Sequence, residues 1–264
     1  MNHLDLFSGI GAFALSAGKV DIKTVAFAET DIFCEKVLEK NFPGIPNYGD
    51  VRNLPCDTLR DFLGVDLITG GFPCQDLSLA AKSSHKDLEG ENSSLFFSMC
   101  ECVWDIGPQW VVIENVPKIL KYMEVVKNEL PEWEWEGNLL EAAEFGAYCR
   151  RKRAFIIGCV EQGGASEVFN ITEKRRQTVS CRRSKDVLPM CLPWKGGPSL
   201  ERLASCVVEN TEANPTRVRK GDGAPRRMDG RRYLALGNSI PIVLADVIMQ
   251  SINYVNGQGG ENDS

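Results

Sequence analysis

Short apolar runs alternate with amphipathic stretches along the first 160 residues of this chain. Runs near His3–Phe7, Val25–Ala28, Asp66–Thr69, Val111–Glu114, Trp133–Leu140 and Phe155–Cys159 have the length and the flanking turn residues of buried strands. Stretches near Ala12–Ala17, Asp31–Asn41, Leu95–Ile106 and Pro117–Glu129 read as helices, and a further short strand is expected to end at Asp50. This alternation predicts an α/β fold with a doubly wound, Rossmann-like sheet. The pattern breaks at Cys159–Glu167, and from there to Pro225 the sequence is irregular, rich in Gly, Pro and charge, without an internal repeat. An apolar helix from Gly237 to about Asn253 is expected to return to the first domain. The predicted organisation is a main domain of 1–159 plus 233–255, a small irregular region of 160–232, and a disordered tail of 256–264.

Open parallel sheets bind ligands beyond the carboxyl ends of their strands, so residues that follow apolar runs are the first candidates for chemistry. The run Asp66–Thr69 ends in Gly70-Gly71 and leads to Phe72-Pro73-Cys74-Gln75, which makes Cys74 a candidate nucleophile. A lone cysteine is more often a small buried hydrophobe, so the case depends on its company. At the first strand end, Gly9 and Gly11 precede a small-residue helix, the arrangement that lets backbone N–H groups approach a ligand at a helix N-terminus. Glu29, about 20 residues later, stands where a doubly wound fold places an acid for ribose hydroxyls. Asp50 is an acceptor for a base amino group. Glu114 ends an apolar strand, where lost solvation raises a carboxyl pKa toward neutrality. Arg150-Arg151-Lys152-Arg153 opens another strand, and period-two spacing puts Arg151 and Arg153 on one face.

Taken in order, these segments resemble the cytosine-5 DNA methyltransferases over nearly the whole chain. "DLFSGIGAF" is similar to that family's cofactor loop, "GFPCQDLS" to its nucleophile loop, "IENV" to its acid motif, "RRKR" to its arginine motif and "LALGNSIPIVLADVI" to its closing helix. The resemblance implies a Rossmann-like methyltransferase domain with a small target-recognition region, S-adenosylmethionine as cofactor, and methyl transfer to carbon 5 of cytosine in double-stranded DNA through base flipping. It implies Cys74, Glu114, Arg151 and Arg153 as catalytic residues, and Phe7, Gly9, Gly11, Glu29, Asp50, Pro73, Asn238 and Ser239 as cofactor-binding residues. The chain departs from the family's pattern at Ala12, where a glycine is usual, at Thr30, where an aromatic is common, and at Cys149, where a glutamine often stands. Its compact tail looks like that of short phage or prophage members.

Composition agrees with a nucleic-acid partner once charge is divided along the chain. The net charge is −6, but residues 160–235 hold 15 Lys and Arg against 9 Asp and Glu, a net +6 that leaves −12 for the remainder. Arg175, Arg176, Arg182, Arg183, Arg226, Arg227, Arg231 and Arg232 are the leading candidates there, most of them for phosphate. Gln75 just precedes, and Ser78 and Lys82 lie in, the polar stretch Asp76–Ser94, which is expected to be a mobile loop that closes over DNA. Arginine pairs best with guanine, so a short target with guanine beside the modified cytosine is expected.

Ten cysteines without a Cys-x-x-Cys pair and only two histidines, His3 and His85, offer no zinc spacing, so no metal is expected. No membrane span or leader is legible, and the expectation is a monomer in the cytoplasm of a bacterial or phage-infected cell. Two alternatives stay open: methylation of tRNA, whose family branch carries a Cys-Phe-Thr signature absent here, and a non-catalytic DNA-binding regulator with the same fold.

Overall fold

The computed structural model describes residues 1–61, 63–72, 95–147, 151–182 and 240–259, with side chains as far as 177 and 257 in the last two stretches. Six strands form one sheet: β1 (Asn2–Leu6), β2 (Lys23–Ala28), β3 (Val65–Gly70), β4 (Trp110–Asn115), β5 (Glu134–Glu141) and β6 (Lys152–Cys159). Their spatial order is β2-β1-β3-β4-β6-β5. The first four strands are mutually parallel, whereas β6 runs antiparallel to both of its neighbours. All six predicted strands are present, as is the helix-between-strands pattern that predicted a doubly wound sheet.

Alternate residues of each strand face opposite layers. On one side Leu4, Leu6, Ile68, Val111, Ile113 and Ile156 pack against α3 (Cys56–Asp61), α4 (Leu95–Ile106) and α5 (Met123–Glu129). On the other, Leu67, Trp110, Val112, Phe155 and Ile157 meet α1 (Ala12–Ala17), α6 (Gly164–Arg182) and α7 (Ile242–Gly259). Helix α2 (Ile32–Asn41) is capped by Asp31, which accepts from the Phe33 and Cys34 amides at 2.9 Å each.

Four expectations change. No strand ends at Asp50: Asn47 forms a single bridge to Phe27, and Asp50 caps a short 3-10 helix, Val51–Asn53. The stretch Pro117–Glu129 is a 3-10 helix, Pro117–Tyr122, followed by α5, with proline in the first turn where its missing N–H costs nothing. The supposedly irregular region begins with 19 residues of helix, α6. Ala165, Val168, Phe169 and Thr172 form its buried stripe at helical spacing, and the neighbouring Gly163, at φ +81, turns the chain into it. At the other end, α7 continues through Asn256 to Gly259, into the segment expected to be disordered, because Ile252 and Val255 still pack on the sheet's second layer.

Candidate active site

The turn after β1 is built from left-handed backbone. Phe7, Gly9 and Gly11 have φ of +52, +55 and +84, and only glycine adopts such angles without strain. The loop closes through Gly11 N–H donating to the Ser8 carbonyl at 2.9 Å, and the Ser8 hydroxyl donates to the Asp5 carbonyl at 2.5 Å. Nothing lies within 4 Å of where a Gly9 Cβ would sit, so the loop presents open backbone there. Glu29, one residue beyond β2, meets this turn: its carboxylate accepts from the Gly9 amide at 2.7 Å and from the Asp31 amide at 2.8 Å. Asn47 fixes the Glu29 backbone from the other side, with hydrogen bonds of 3.0 Å to both its N–H and its carbonyl. A carboxylate offers about four acceptor positions, so two remain for ligand hydroxyls.

Asp50 is brought beside this region by the same segment, but its carboxylate is held by Arg52, at 2.9 Å from Nε and 2.5 Å from Nη2. The Arg52 guanidinium holds the Asp50 carboxyl below the usual carboxylate range. Thr30 is exposed, as is Ile32 at the start of α2. Phe7 packs edge-on against Phe72, with ring centroids 6.5 Å apart, so the turn after β1 and the segment after β3 are in direct contact.

At the end of β4 stands Glu114, with its side chain 8% exposed. The antiparallel direction of β6 explains its partners: Glu114 pairs with Phe155 and Asn115 with Ala154, so the start of β6 lies at the carboxyl end of β4. Arg153 Nε is 2.7 Å from Glu114 Oε1. Arg151 is buried just before the strand, and its charge also acts on Glu114. Burial pushes the Glu114 carboxyl up to about 7, against the opposing pull of Arg153 and Arg151. Near neutrality the group is therefore shared between acid and carboxylate.

The structure thus brings Phe7, Gly9, Gly11 and Glu29 together at one part of the sheet edge, and Glu114, Arg151 and Arg153 at another. Pro73, Cys74, Gln75, Ser78, Lys82, Arg183, Arg226, Arg227, Asn238 and Ser239 lie outside the described residues, as does the side chain of Arg182. Two candidate DNA-contacting residues are engaged within the domain instead. Arg176 pairs with Glu144 at 2.5 Å and with Glu173 at 3.1 Å, and Arg175 donates to Gln250 of α7. They sit on α6, whose position could not be read from charge.

Sequence reasoning missed a buried polar chain beneath the glycine turn. Thr24, His3, Thr69 and Asp5 are linked across β2, β1 and β3 at 2.8–2.9 Å. Because Thr69 donates to Asp5, it accepts from His3 Nε2–H, and His3 Nδ1 accepts from Thr24. Burial lowers the His3 pKa to about 3 and raises that of Asp5 to about 8, so both are neutral near pH 7. The signal was present as polar residues inside an apolar strand. Sequence reasoning also named Gly71 and Asn115 without reading their roles: Gly71 follows β3 and lies against Glu114, and Asn115 ends β4 next to it.

Residues 1–225 match the family described as C-5 cytosine-specific DNA methylase. The type II methyltransferase M2.BsuMI of Bacillus subtilis is 31% identical, over 64% of this chain and 45% of its own length. The type II methyltransferase M.HhaI of Haemophilus parahaemolyticus is 30% identical, over 60% of this chain and 48% of its own. The chain spans just under half the length of these relatives. The solved structure of the Entamoeba histolytica methyltransferase EhMeth shares the fold, with a TM-score of 0.57 at 16% identity, covering 96% of this chain and 97% of that one. With the match running through 225 of 264 residues, from the glycine turn past Glu114 and Arg153, the chain belongs to the family of C-5 cytosine-specific DNA methylases.

Proposed function

We propose that the protein transfers a methyl group from S-adenosylmethionine to carbon 5 of cytosine in double-stranded DNA. The observation that carries this reading is Glu114, a buried carboxyl near half-protonation, paired with Arg153 at the strand edge next to the segment that leads to Cys74.

Carbon 5 of cytosine is a poor nucleophile. Attack by the Cys74 thiolate on carbon 6 forms an S–C6 bond and turns the ring into an enamine, which gives carbon 5 the electron density to accept a methyl group. Glu114, with a pKa near 7, donates a proton to or shares one with the ring nitrogen, and stabilises the charge that develops as sulfur adds. Arg153 holds the ring carbonyl oxygen through its planar, donor-rich guanidinium, with Arg151 supporting it. A base then removes the carbon 5 proton, the C6–S bond breaks, and the thiolate is regenerated. Cytosine stacked in a duplex cannot reach a thiol, so the reading includes extrusion of the target base.

When bound, S-adenosylmethionine would supply the electrophilic methyl group to carbon 5, its S–CH3 bond breaking as the sulfonium leaves as a neutral thioether. The turn Phe7–Gly11 and Glu29 suit such a ligand: open glycine backbone, and a carboxylate with two acceptor positions left for ribose hydroxyls. Arg52 occupies both oxygens of Asp50, so Asp50 serves the adenine amino group in this reading only by giving up part of that pairing. Pro73, Asn238 and Ser239 complete the pocket in this reading. We place target recognition within residues 183–232, with Arg183, Arg226 and Arg227 on phosphate, and Gln75, Ser78 and Lys82 as further DNA contacts. The molecule acts as a monomer without metal in this proposal. No helix among the described residues is long and apolar enough to cross a membrane.

Bisulfite sequencing of DNA from cells that express the protein tests this reading. Modified cytosine in a short, guanine-containing context is expected, and its disappearance with Cys74→Ala, with the fold retained. Absence of modified DNA cytosine, with label from the methyl donor appearing in tRNA or nowhere, would overturn it.

A further inference from the structure

Strand β3 ends at Gly70, which pairs with Ile113 of β4, so the backbone ladder stops one residue short of Glu114. Two described residues follow before the Pro73-Cys74 sequence, and both are fixed by β4 rather than by backbone pairing. Gly71 lies against Glu114: a Cβ built there would be 3.0 Å from Glu114 Oε2 and 3.3 Å from the Glu114 carbonyl. Phe72 is held by the next residue of β4, as Asn115 Nδ2 donates to the Phe72 carbonyl at 2.8 Å in a buried hydrogen bond. The other end of the same amide accepts from the Val116 N–H at 2.8 Å. Asn115 is 6% exposed, and Phe72, 2% exposed, is clamped further by ring contacts with Phe7 and Phe96.

We infer that Asn115 is a positioning residue for the transfer reaction: its amide registers the backbone that leads to Cys74 against the Glu114 carboxyl, and Gly71 leaves the space in which that carboxyl sits. This rests on the methyl-transfer reading. The physical reason lies in how the strand ends. Backbone pairing would have fixed this register, but it ends at Gly70, and beyond it the Asn115 side chain provides the one hydrogen bond from β4 to this segment among the described residues. Both ends of the amide are used, so no other side chain replaces it. Aspartate keeps the acceptor toward Val116 but places an oxygen against the Phe72 carbonyl, and only its protonated form restores a donor. Alanine loses both bonds and leaves the Phe72 carbonyl buried without its partner.

The test uses the full chain, S-adenosylmethionine and duplex DNA with 5-fluorocytosine at the target position, where elimination is blocked and the covalent complex accumulates. For Asn115→Ala, adduct formation slows by about 100-fold, the scale of a misplacement of roughly 1 Å, while affinities for DNA and S-adenosylmethionine are retained. For Asn115→Asp, the rate relative to the unaltered chain at the same pH recovers as pH falls and the introduced carboxyl takes up a proton. A merely structural role moves neither that ratio nor the split between binding and adduct formation. Adduct formation by Asn115→Ala at the unaltered rate, or a loss that follows DNA affinity, overturns this inference alone. An unaltered chain that forms no adduct overturns the methyl-transfer reading and this inference with it.

Discussion

Glu114 shows what burial does to a single group. Its ordinary pKa of 4.5 is raised to about 7 although two arginines oppose the rise, so desolvation outweighs charge pairing. The unfolded chain releases this proton first, and stability is therefore lost as pH rises from the ordinary value through 7. A shift of this size corresponds to about 3 kcal/mol. Asp5, raised to about 8 by burial, adds a loss of the same sign, so the unaltered chain alone does not isolate Glu114. Comparing Glu114→Gln with the unaltered chain in denaturant titrations cancels the Asp5 part. The advantage of the unaltered chain is expected to shrink across that window, and parallel curves would place the carboxyl in solvent. Activity of Glu114→Gln should fall by about 10²–10⁴-fold, the usual contribution of a positioned acid.

Between elements, the contact that matters most for the cofactor reading is the one from the end of β2 to the turn after β1. Glu29 bonds the Gly9 amide at 2.7 Å, so one carboxylate both shapes the turn and faces its ligand side. Glu29→Ala should weaken S-adenosylmethionine binding by about 1.5–3 kcal/mol, the range for a charged hydrogen bond, with DNA affinity retained. Calorimetry with unchanged cofactor affinity would remove Glu29 from the pocket. The two glycines of the turn should separate cleanly. A Cβ at Gly11 would sit 2.6 Å from the Phe42 ring and 2.9 Å from Leu38, at φ +84. Gly11→Ala should therefore cost about 2–4 kcal/mol of stability, from left-handed strain plus overpacking. Gly9→Ala, at φ +55, carries the left-handed strain of about 1–2 kcal/mol but meets no protein atom, so its stability loss should be the smaller and its distinctive effect should fall on cofactor affinity. Urea midpoints and binding curves of the two variants check this, and equal stability losses would refute it.

At the scale of the molecule, α6 ties residues 164–172 to the sheet through the core they share with α1 and α7. Phe169 is 4% exposed, so Phe169→Ala should destabilise the whole fold by about 3–5 kcal/mol rather than alter target choice. A variant that melts normally but modifies different sites would return this helix to the recognition region. The strands, the glycine turn, Glu29, Glu114 and the arginine pair were legible in the sequence, because period-two burial and acids at strand ends are local signals. The helix α6 was half legible: the stripe Ala165, Val168, Phe169, Thr172 is there, but the charged run after it hid its partner, a surface assembled from α7 and the sheet. Sequence alone determined which residues sit at strand ends and thus which chemistry the edge carries. Only the tertiary structure decided that β6 runs antiparallel and delivers Arg153 to Glu114, that Arg52 holds Asp50 and that Asn115 holds Phe72, because each depends on strand order and direction between residues far apart in sequence or on a side-chain rotamer, and no local pattern encodes these.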